Sequence, residues 1–229
     1  MIISFSGLDG AGKTTQIELL LDAYRNQGAN VGSIYSYMPD IRYHNTKELR
    51  ELYEKLLSFD VIHMRYRLNS DRNCAIMRKL EHNIPPQRVL ATAAAIQGYL
   101  DHTELSKFVL DPLLDKRKIL IFDRYYYDEL VFKYIYGCPE YILKMLYYNK
   151  RDADIGFFVK ISSKECIKRN KNRPDSAVAV YQSLMSIDSL ANRFDFIAKQ
   201  KRLVMLDGVL PKEELARSVL TNIDRLNLE

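Results

Sequence analysis

The segment Met1-Ile2-Ile3-Ser4-Phe5-Ser6-Gly7-Leu8-Asp9-Gly10-Ala11-Gly12-Lys13-Thr14-Thr15 decides the fold. Its opening is an apolar run of strand character, and Gly7 to Thr14 then reads G-x-x-x-x-G-K-[ST], the phosphate loop that joins a strand to a helix. In such a loop the glycines let the backbone curl with its N–H groups turned inward at phosphate oxygens. Lys13 is expected to reach the β- and γ-phosphates of a nucleotide, and the Thr14 hydroxyl to ligate Mg²⁺. Gly7, Leu8, Asp9, Gly10, Ala11, Gly12, Lys13, Thr14 and Thr15 are therefore the candidate nucleotide-binding residues. A functionless glycine turn has no need of Lys-Thr at a helix start. Downstream, Ile17, Leu20, Leu21 and Tyr24 fall at i, i+3, i+4 and i+7, which predicts an amphipathic helix ended by Gly28.

Working outward, five runs rich in β-branched or aromatic residues, 2–6, 31–37, 118–123, 155–161 and 203–207, are separated by enough chain for crossovers. The near-continuous apolar runs Ile119-Leu120-Ile121-Phe122 and Ile155-Gly156-Phe157-Phe158-Val159 suit strands covered on both faces. These features predict a three-layer α/β fold: a five-stranded parallel sheet with helices on both faces and a short lid. Pro211, with Glu213 and Glu214 in the first turn, opens a C-terminal helix that buries Ala216, Val219, Leu220 and Ile223. Residues 58–92 carry Arg65, Arg67, Asp71, Arg72, Arg78 and Lys79 and end in Pro85-Pro86, which predicts a charged helical lobe outside the sheet.

With 229 residues, 47% apolar and 28% charged, the chain suits a single domain over 1–229 built on one core. No apolar run reaches the ~18 residues of a membrane span, and the opening strand predicts no signal peptide, hence a cytoplasmic protein. Cys74, Cys138 and Cys166 form no C-x-x-C pair, and His44, His63, His82 and His102 form no H-E-x-x-H motif. The expected metal is accordingly Mg²⁺ brought in with nucleotide. A net charge of +5 suits polyphosphate ligands. The expected partner is a small-molecule nucleotide acceptor, with neither membrane nor nucleic acid.

A second constellation ends the third predicted strand: Asp123-Arg124-Tyr125, at the edge where open parallel sheets place their ligands. Asp123 is suited to the Mg²⁺ water shell, and Arg124 to bidentate bonds with a second phosphate. Beyond the fourth predicted strand, Lys164, Lys168, Arg169, Lys171 and Arg173 precede Pro174. Beside a nucleotide, this cluster would supply the arginines of a lid over about 168–182.

These segments together resemble the thymidylate kinase family of nucleoside monophosphate kinases over nearly the whole chain. Gly7-Leu8-Asp9-Gly10-Ala11-Gly12-Lys13-Thr14-Thr15-Gln16 is similar to the family's G-x-D-G-x-G-K-[ST]-T-Q. Pro112-Leu113-Leu114 and Asp123-Arg124-Tyr125 resemble its P-x-L and D-R-[YFH], Arg193-Phe194 its Arg-Tyr, and Val204-Met205-Leu206-Asp207-Gly208 its last strand and adenine loop. The resemblance implies ATP on the loop, Mg²⁺ near Thr14 and Asp123, Arg124 on the acceptor phosphate, and Asp9 facing the acceptor sugar or its phosphate. It also implies a homodimer through helices beside the sheet. Some members carry an Arg inside the loop; Ala11 here passes that charge to the lid, to Arg169 or Arg173. Lys13, Asp9, Arg124, Arg169 and Arg173 are thus the expected catalytic residues.

The acceptor side departs from the family pattern. Tyr37-Met38-Pro39-Asp40-Ile41-Arg42 stands in place of R-E-P, and Gly98-Tyr99-Leu100-Asp101-His102 in place of F-x-x-[DN]-R. Asp128 occupies the place of a Ser, and Lys160 that of a strand Asp. Arg42, Tyr99, Arg124 and Tyr125 are the expected acceptor-binding residues. The expected reaction is ATP-dependent phosphorylation of a nucleoside monophosphate, dTMP to dTDP first. A (deoxy)nucleoside acceptor and a non-catalytic nucleotide-binding switch are the alternatives.

Overall fold

A computed structural model describes residues 1–37, 42–65, 69–70, 75–76, 87–171 and 187–226, with the side chains of residues 42, 65, 69 and 70 excepted. The strands are β1 (Ile2–Ser6), β2 (Val31–Ser33), β3 (Arg42–Tyr43), β4 (Val61–Arg65), β5 (Asn69–Ser70), β6 (Ile119–Asp123), β7 (Ile155–Lys160) and β8 (Val204–Asp207). The helices are α1 (Lys13–Asn26), α2 (Thr46–Leu56), α3 (Gln87–Leu105), α4 (Asp111–Asp115), α5 (Tyr126–Ile135), α6 (Glu140–Tyr147), α7 (Ser163–Asn170), α8 (Ile187–Gln200) and α9 (Lys212–Leu226). A π-helical turn, Ser106–Leu110, joins α3 to α4.

Six parallel strands form the main sheet in the order β2-β4-β6-β1-β7-β8. The α/β parallel sheet expected from the sequence is present, with one strand more than the five expected. The added strand is β4, Val-Ile-His-Met-Arg, inside the segment 58–92 that was expected to lie outside the sheet. Its apolar run is broken by His63 and Arg65, and the charge that follows masks it. Yet Val61, Ile62 and Met64 are fully buried between β2 and β6, as an inner parallel strand requires. Asp123 consequently ends the fourth strand of this sheet in chain order, rather than the third. The expected strand over 31–37 stops at Ser33, whose hydroxyl accepts the Tyr35 N–H and starts a 3₁₀ turn over Ile34–Ser36.

β1 is buried along its whole length at the middle of the sheet. Its connection runs toward β2, whereas every later connection runs the other way, so the crevice of the fold opens at the C-terminal end of β1. α1 and α9 pack together, while α5 packs against α3, α6 and α8. α9 buries Leu215, Val219 and Ile223; of the stripe expected from its sequence Val219 and Ile223 are buried, while Ala216 and Leu220 are only partly so and Leu215 takes the buried place at the start. Among the described residues no helix is long and apolar enough to cross a membrane.

Candidate active site

The loop after β1 takes its shape from three glycines at positive φ: Gly7 (138°), Gly10 (77°) and Gly12 (101°). Gly7 has a second reason to lack a side chain, since a Cβ would lie 2.5 Å from the Val159 carbonyl oxygen on β7. At Gly10 a Cβ would meet Asn170 Nδ2 at 2.6 Å. Gly12 opens on empty space, so its requirement is conformational alone. Lys13, only 6% exposed, folds back to donate to the Gly7 carbonyl (3.0 Å) and the Leu8 carbonyl (2.8 Å). Burial, with Arg124 close by, lowers its pKa from 10.5 to about 8 against the pull of Asp9, Asp123 and Asp128. A cation this buried, hydrogen-bonded to two neutral carbonyls, is suited to meet an anion. Thr14 and Thr15 stand exposed at the start of α1.

The neighbouring strand delivers the second cation. Arg124 adopts φ 68°, a left-handed conformation that costs a non-glycine residue ~1 kcal/mol or more, and its N–H still donates to the Phe5 carbonyl at 2.9 Å. The turn sends its guanidinium back under the loop. Nη1 donates to the Gly7 carbonyl (3.3 Å) and to Asp128 Oδ1 (2.7 Å), and Nη2 is ion-paired with Asp9. Lys13 and Arg124 therefore converge on one backbone oxygen, that of Gly7. Asp128, 1% exposed, is fixed from behind by Ser6, whose hydroxyl donates to Oδ2 at 2.6 Å. Burial pushes the Asp128 carboxyl up, and Arg124 and Ser6 hold it down. Asp123 lies partly exposed at the strand end.

α7 braces the far side of the loop. Asn170 Nδ2 donates to the Asp9 carbonyl (2.8 Å) and to the Cys166 carbonyl (2.8 Å), and the Cys166 thiol donates to the same Asp9 oxygen (3.3 Å). Arg169 splits its guanidinium between Glu165 Oε1 (2.7 Å from Nε) and the Gly10 carbonyl (3.2 Å from Nη1). The loop after β8 closes the third side, where a Cβ on Gly208 would meet the Ala11 carbonyl oxygen at 3.1 Å. Peptide oxygens of the loop are thus engaged by α7, Lys13 and Arg124, the arrangement that leaves N–H groups for phosphate.

The structure brings Asp9, Lys13, Asp123, Arg124 and Arg169 to this edge, with Thr14. Tyr125, expected to contact the acceptor, does not join them. Its ring is 1% exposed against Phe122, Tyr126, Tyr127 and His102, and its hydroxyl donates to the Arg151 carbonyl at 3.1 Å. The left-handed turn at Arg124 explains the divergence, turning the arginine to the loop and the next residue into the core. Tyr99 meets Tyr147 edge-on with centroids 6.1 Å apart and carries Lys150 Nζ over its ring at 4.4 Å, contacts made with α6 and the segment after it. Arg193 lies away from the loop, over the Tyr134 ring and near Glu140. Arg173, most of the expected lid, Arg67, Arg72 and the side chain of Arg42 lie outside the described residues. Ser6, Cys166 and Asn170 were not anticipated. Only Asp128 had left a signal, as an acidic residue four positions after Arg124 where the family pattern has Ser.

A phosphate loop after the central strand, with a second cation, Arg124, just past the end of the adjacent strand, defines a nucleotide phosphotransferase. The thymidylate kinase family model matches residues 46–219, and the chain belongs to that family of nucleoside monophosphate kinases. The matched range starts beyond Gly7–Thr15, so the loop is separate testimony to nucleotide binding. A probable thymidylate kinase of Sulfurisphaera tokodaii is 22% identical over 218 residues, 95% of this chain and 93% of that protein. The thymidylate kinase of Fervidobacterium nodosum is 22% identical over 228 residues, 96% of each chain. A probable thymidylate kinase of Pyrococcus abyssi is 27% identical over 172 residues, 75% of this chain and 70% of that protein.

Proposed function

We propose that the protein transfers the γ-phosphoryl group of ATP to thymidylate, giving thymidine diphosphate. The observation that carries this reading is the convergence of Lys13 and Arg124 on the Gly7 carbonyl, at 3.0 and 3.3 Å. Two cations so close, delivered by the segments that follow the adjacent strands β1 and β6, suit two phosphates brought end to end. Lys13 would hold the phosphates of the donor and Arg124 that of the acceptor, with Asp9 between them on the side of the acceptor sugar.

The oxygen donors Thr14 and Asp123 fit a hard cation, and the exposed hydroxyl of Thr14 at the helix start suits one carried largely by nucleotide phosphates. When bound, Mg²⁺ would supply positive charge that neutralises the phosphates. Transfer of this kind needs positioning and neutralisation rather than a covalent intermediate. Arg169, held between Glu165 and the Gly10 carbonyl, would serve as a lid cation beside the phosphates, and Arg173 extends the same cationic run in the sequence. Arg42 is proposed for the acceptor side on its place in the sequence, and Tyr99 on the same ground alone, since its ring packs against Tyr147 and Lys150.

The test is ADP formation from ATP against dTMP, other nucleoside monophosphates and free nucleosides, with Lys13→Ala as the blank. Thymidylate is expected to give the highest kcat/KM. A nucleoside outrunning every monophosphate would move the acceptor assignment, and turnover no higher than the blank with all of them would end the kinase reading.

A further inference from the structure

Behind Arg124 lies a buried charge that phosphoryl transfer does not require of itself. Asp128 sits in the first turn of α5 with both carboxylate oxygens engaged: Oδ1 by Arg124 Nη1 at 2.7 Å, Oδ2 by the Ser6 hydroxyl at 2.6 Å and by the Tyr125 N–H at 3.4 Å. It thereby ties together β1, the turn after β6 and α5. The thymidylate kinase pattern has a serine here, whose single shorter oxygen cannot span Ser6 and Arg124 together. In this chain, then, a fixed negative charge stands on the inner side of the guanidinium while Asp9 stands on its outer side.

We propose that Asp128 is a positioning residue for the acceptor phosphate, its Ser6-anchored carboxylate locking Arg124 with Nη1 turned inward and Nη2 presented beside Asp9. The guanidinium is planar, so fixing Nη1 on Asp128 and the Gly7 carbonyl fixes the plane and direction of the Nη2 edge. Arg124 starts from a left-handed backbone, and the clasp supplies the side-chain contacts that hold this turn. Ser6 acts one step further back: it is the last residue of β1 and orients the carboxylate rather than the arginine. The inference rests on the reading of Arg124 as the acceptor-phosphate residue.

The test compares Asp128→Ser, Asp128→Asn and Ser6→Ala with the parent protein in two measurements. In steady-state kinetics with dTMP and ATP, Asp128→Ser is expected to lower kcat at least tenfold with the KM for ATP within threefold of the parent. Asp128→Asn, which keeps one acceptor for Arg124, should fall between, and Ser6→Ala should show the smallest loss. In ¹⁵N NMR of the nucleotide-free protein, the Arg124 guanidinium should show restricted rotation in the parent and faster averaging in Asp128→Ser. A role confined to stability would lower the melting temperature and leave both readouts in place. Parent-like kcat, within twofold, in Asp128→Ser overturns the proposal; if that variant does not fold, parent-like kcat in Asp128→Asn does so. Should the parent phosphorylate no acceptor, the proposed function fails while the NMR comparison still decides whether Asp128 orders Arg124: an unchanged Arg124 signal would refute it.

Discussion

The two ends of the central strands bury polar groups in different ways. At the N-terminal edge the segment 151–154 is closed up. Tyr125 donates to the Arg151 carbonyl, Tyr126 bonds Asp152, Tyr127 accepts the Ala153 N–H at 2.9 Å, and Asp154 accepts the Ile2 N–H at 2.6 Å. Each bond there joins two elements and leaves little for a ligand. At the C-terminal edge the buried groups include two cations that meet on one backbone oxygen: Lys13 is directed at the Gly7 and Leu8 carbonyls, and Arg124 is shared between the Gly7 carbonyl and the carboxylates of Asp9 and Asp128. Both edges are built around the same residues, Arg124 facing one and Tyr125 the other. Burial alone does not mark a functional site; two buried cations brought onto one backbone oxygen at a strand-end crevice point to one here.

The largest expected effect comes from removing the arginine that faces the C-terminal edge. Arg124→Ala should lower kcat/KM for dTMP by ~10³-fold, the scale of losing a preorganised donor to a transferring phosphate. Arg124→Lys should recover little of it, because an ammonium cannot contact Gly7, Asp128 and Asp9 in one plane. An Arg124→Ala enzyme within tenfold of the parent would remove the functional distinction between the two edges.

The next effect is electrostatic. Lys13 must be protonated to hold phosphate, and its pKa in the nucleotide-free protein is about 8. Log kcat/KM for ATP should therefore be level below pH 8 and fall with unit slope above it, about tenfold per pH unit. Bound phosphates restore the ammonium, so kcat should hold to higher pH. Stability should move in the opposite sense. An unfolded chain holds this proton up to 10.5 and the folded one only to about 8, so between these values unfolding takes up a proton and the lysine's contribution to stability rises with pH. Parallel pH titrations of activity and of urea unfolding, each compared with Lys13→Met, separate the two signs.

What the sequence made legible follows the same division. The phosphate loop was readable to the residue because its glycines answer local backbone demands, and Asp123-Arg124 because it adjoins an apolar strand. Strand β4 was hidden, since His63 and Arg65 interrupt its apolar run and only burial between two neighbours reveals it. Asn170 and Cys166 were hidden for another reason: they reach the Asp9 carbonyl across more than 150 residues of chain, and no local pattern encodes that meeting. The fate of Tyr125 turned on a single positive φ in the residue before it, which no side-chain periodicity announces.

The brace on the loop gives an intermediate expectation. Asn170→Ala removes donors to the Asp9 and Cys166 carbonyls, both at 2.8 Å, without touching any phosphate ligand. With the Cys166 thiol still in place, the loop should loosen rather than collapse, and ATP affinity should fall about tenfold, equivalent to ~1.4 kcal/mol. Calorimetric titration of ATP into the variant measures this, and unchanged affinity would reduce α7 to packing.

The smallest effect belongs to the closed edge and completes the contrast. Tyr125→Phe deletes one hydroxyl, that bonded to the Arg151 carbonyl, and keeps the ring among Phe122, Tyr126, Tyr127 and His102. The loss of a single neutral hydrogen bond should lower unfolding free energy by about 1 kcal/mol. Because the ring stays and Arg124 keeps its left-handed turn through the Phe5 carbonyl and Asp128, kcat and both KM values should remain within twofold of the parent. Chemical denaturation and steady-state kinetics on one preparation test both halves. A large rise in the KM for dTMP at unchanged stability would instead place Tyr125 in contact with the acceptor, and would mean that the residue after Arg124 turns toward the loop when substrate binds.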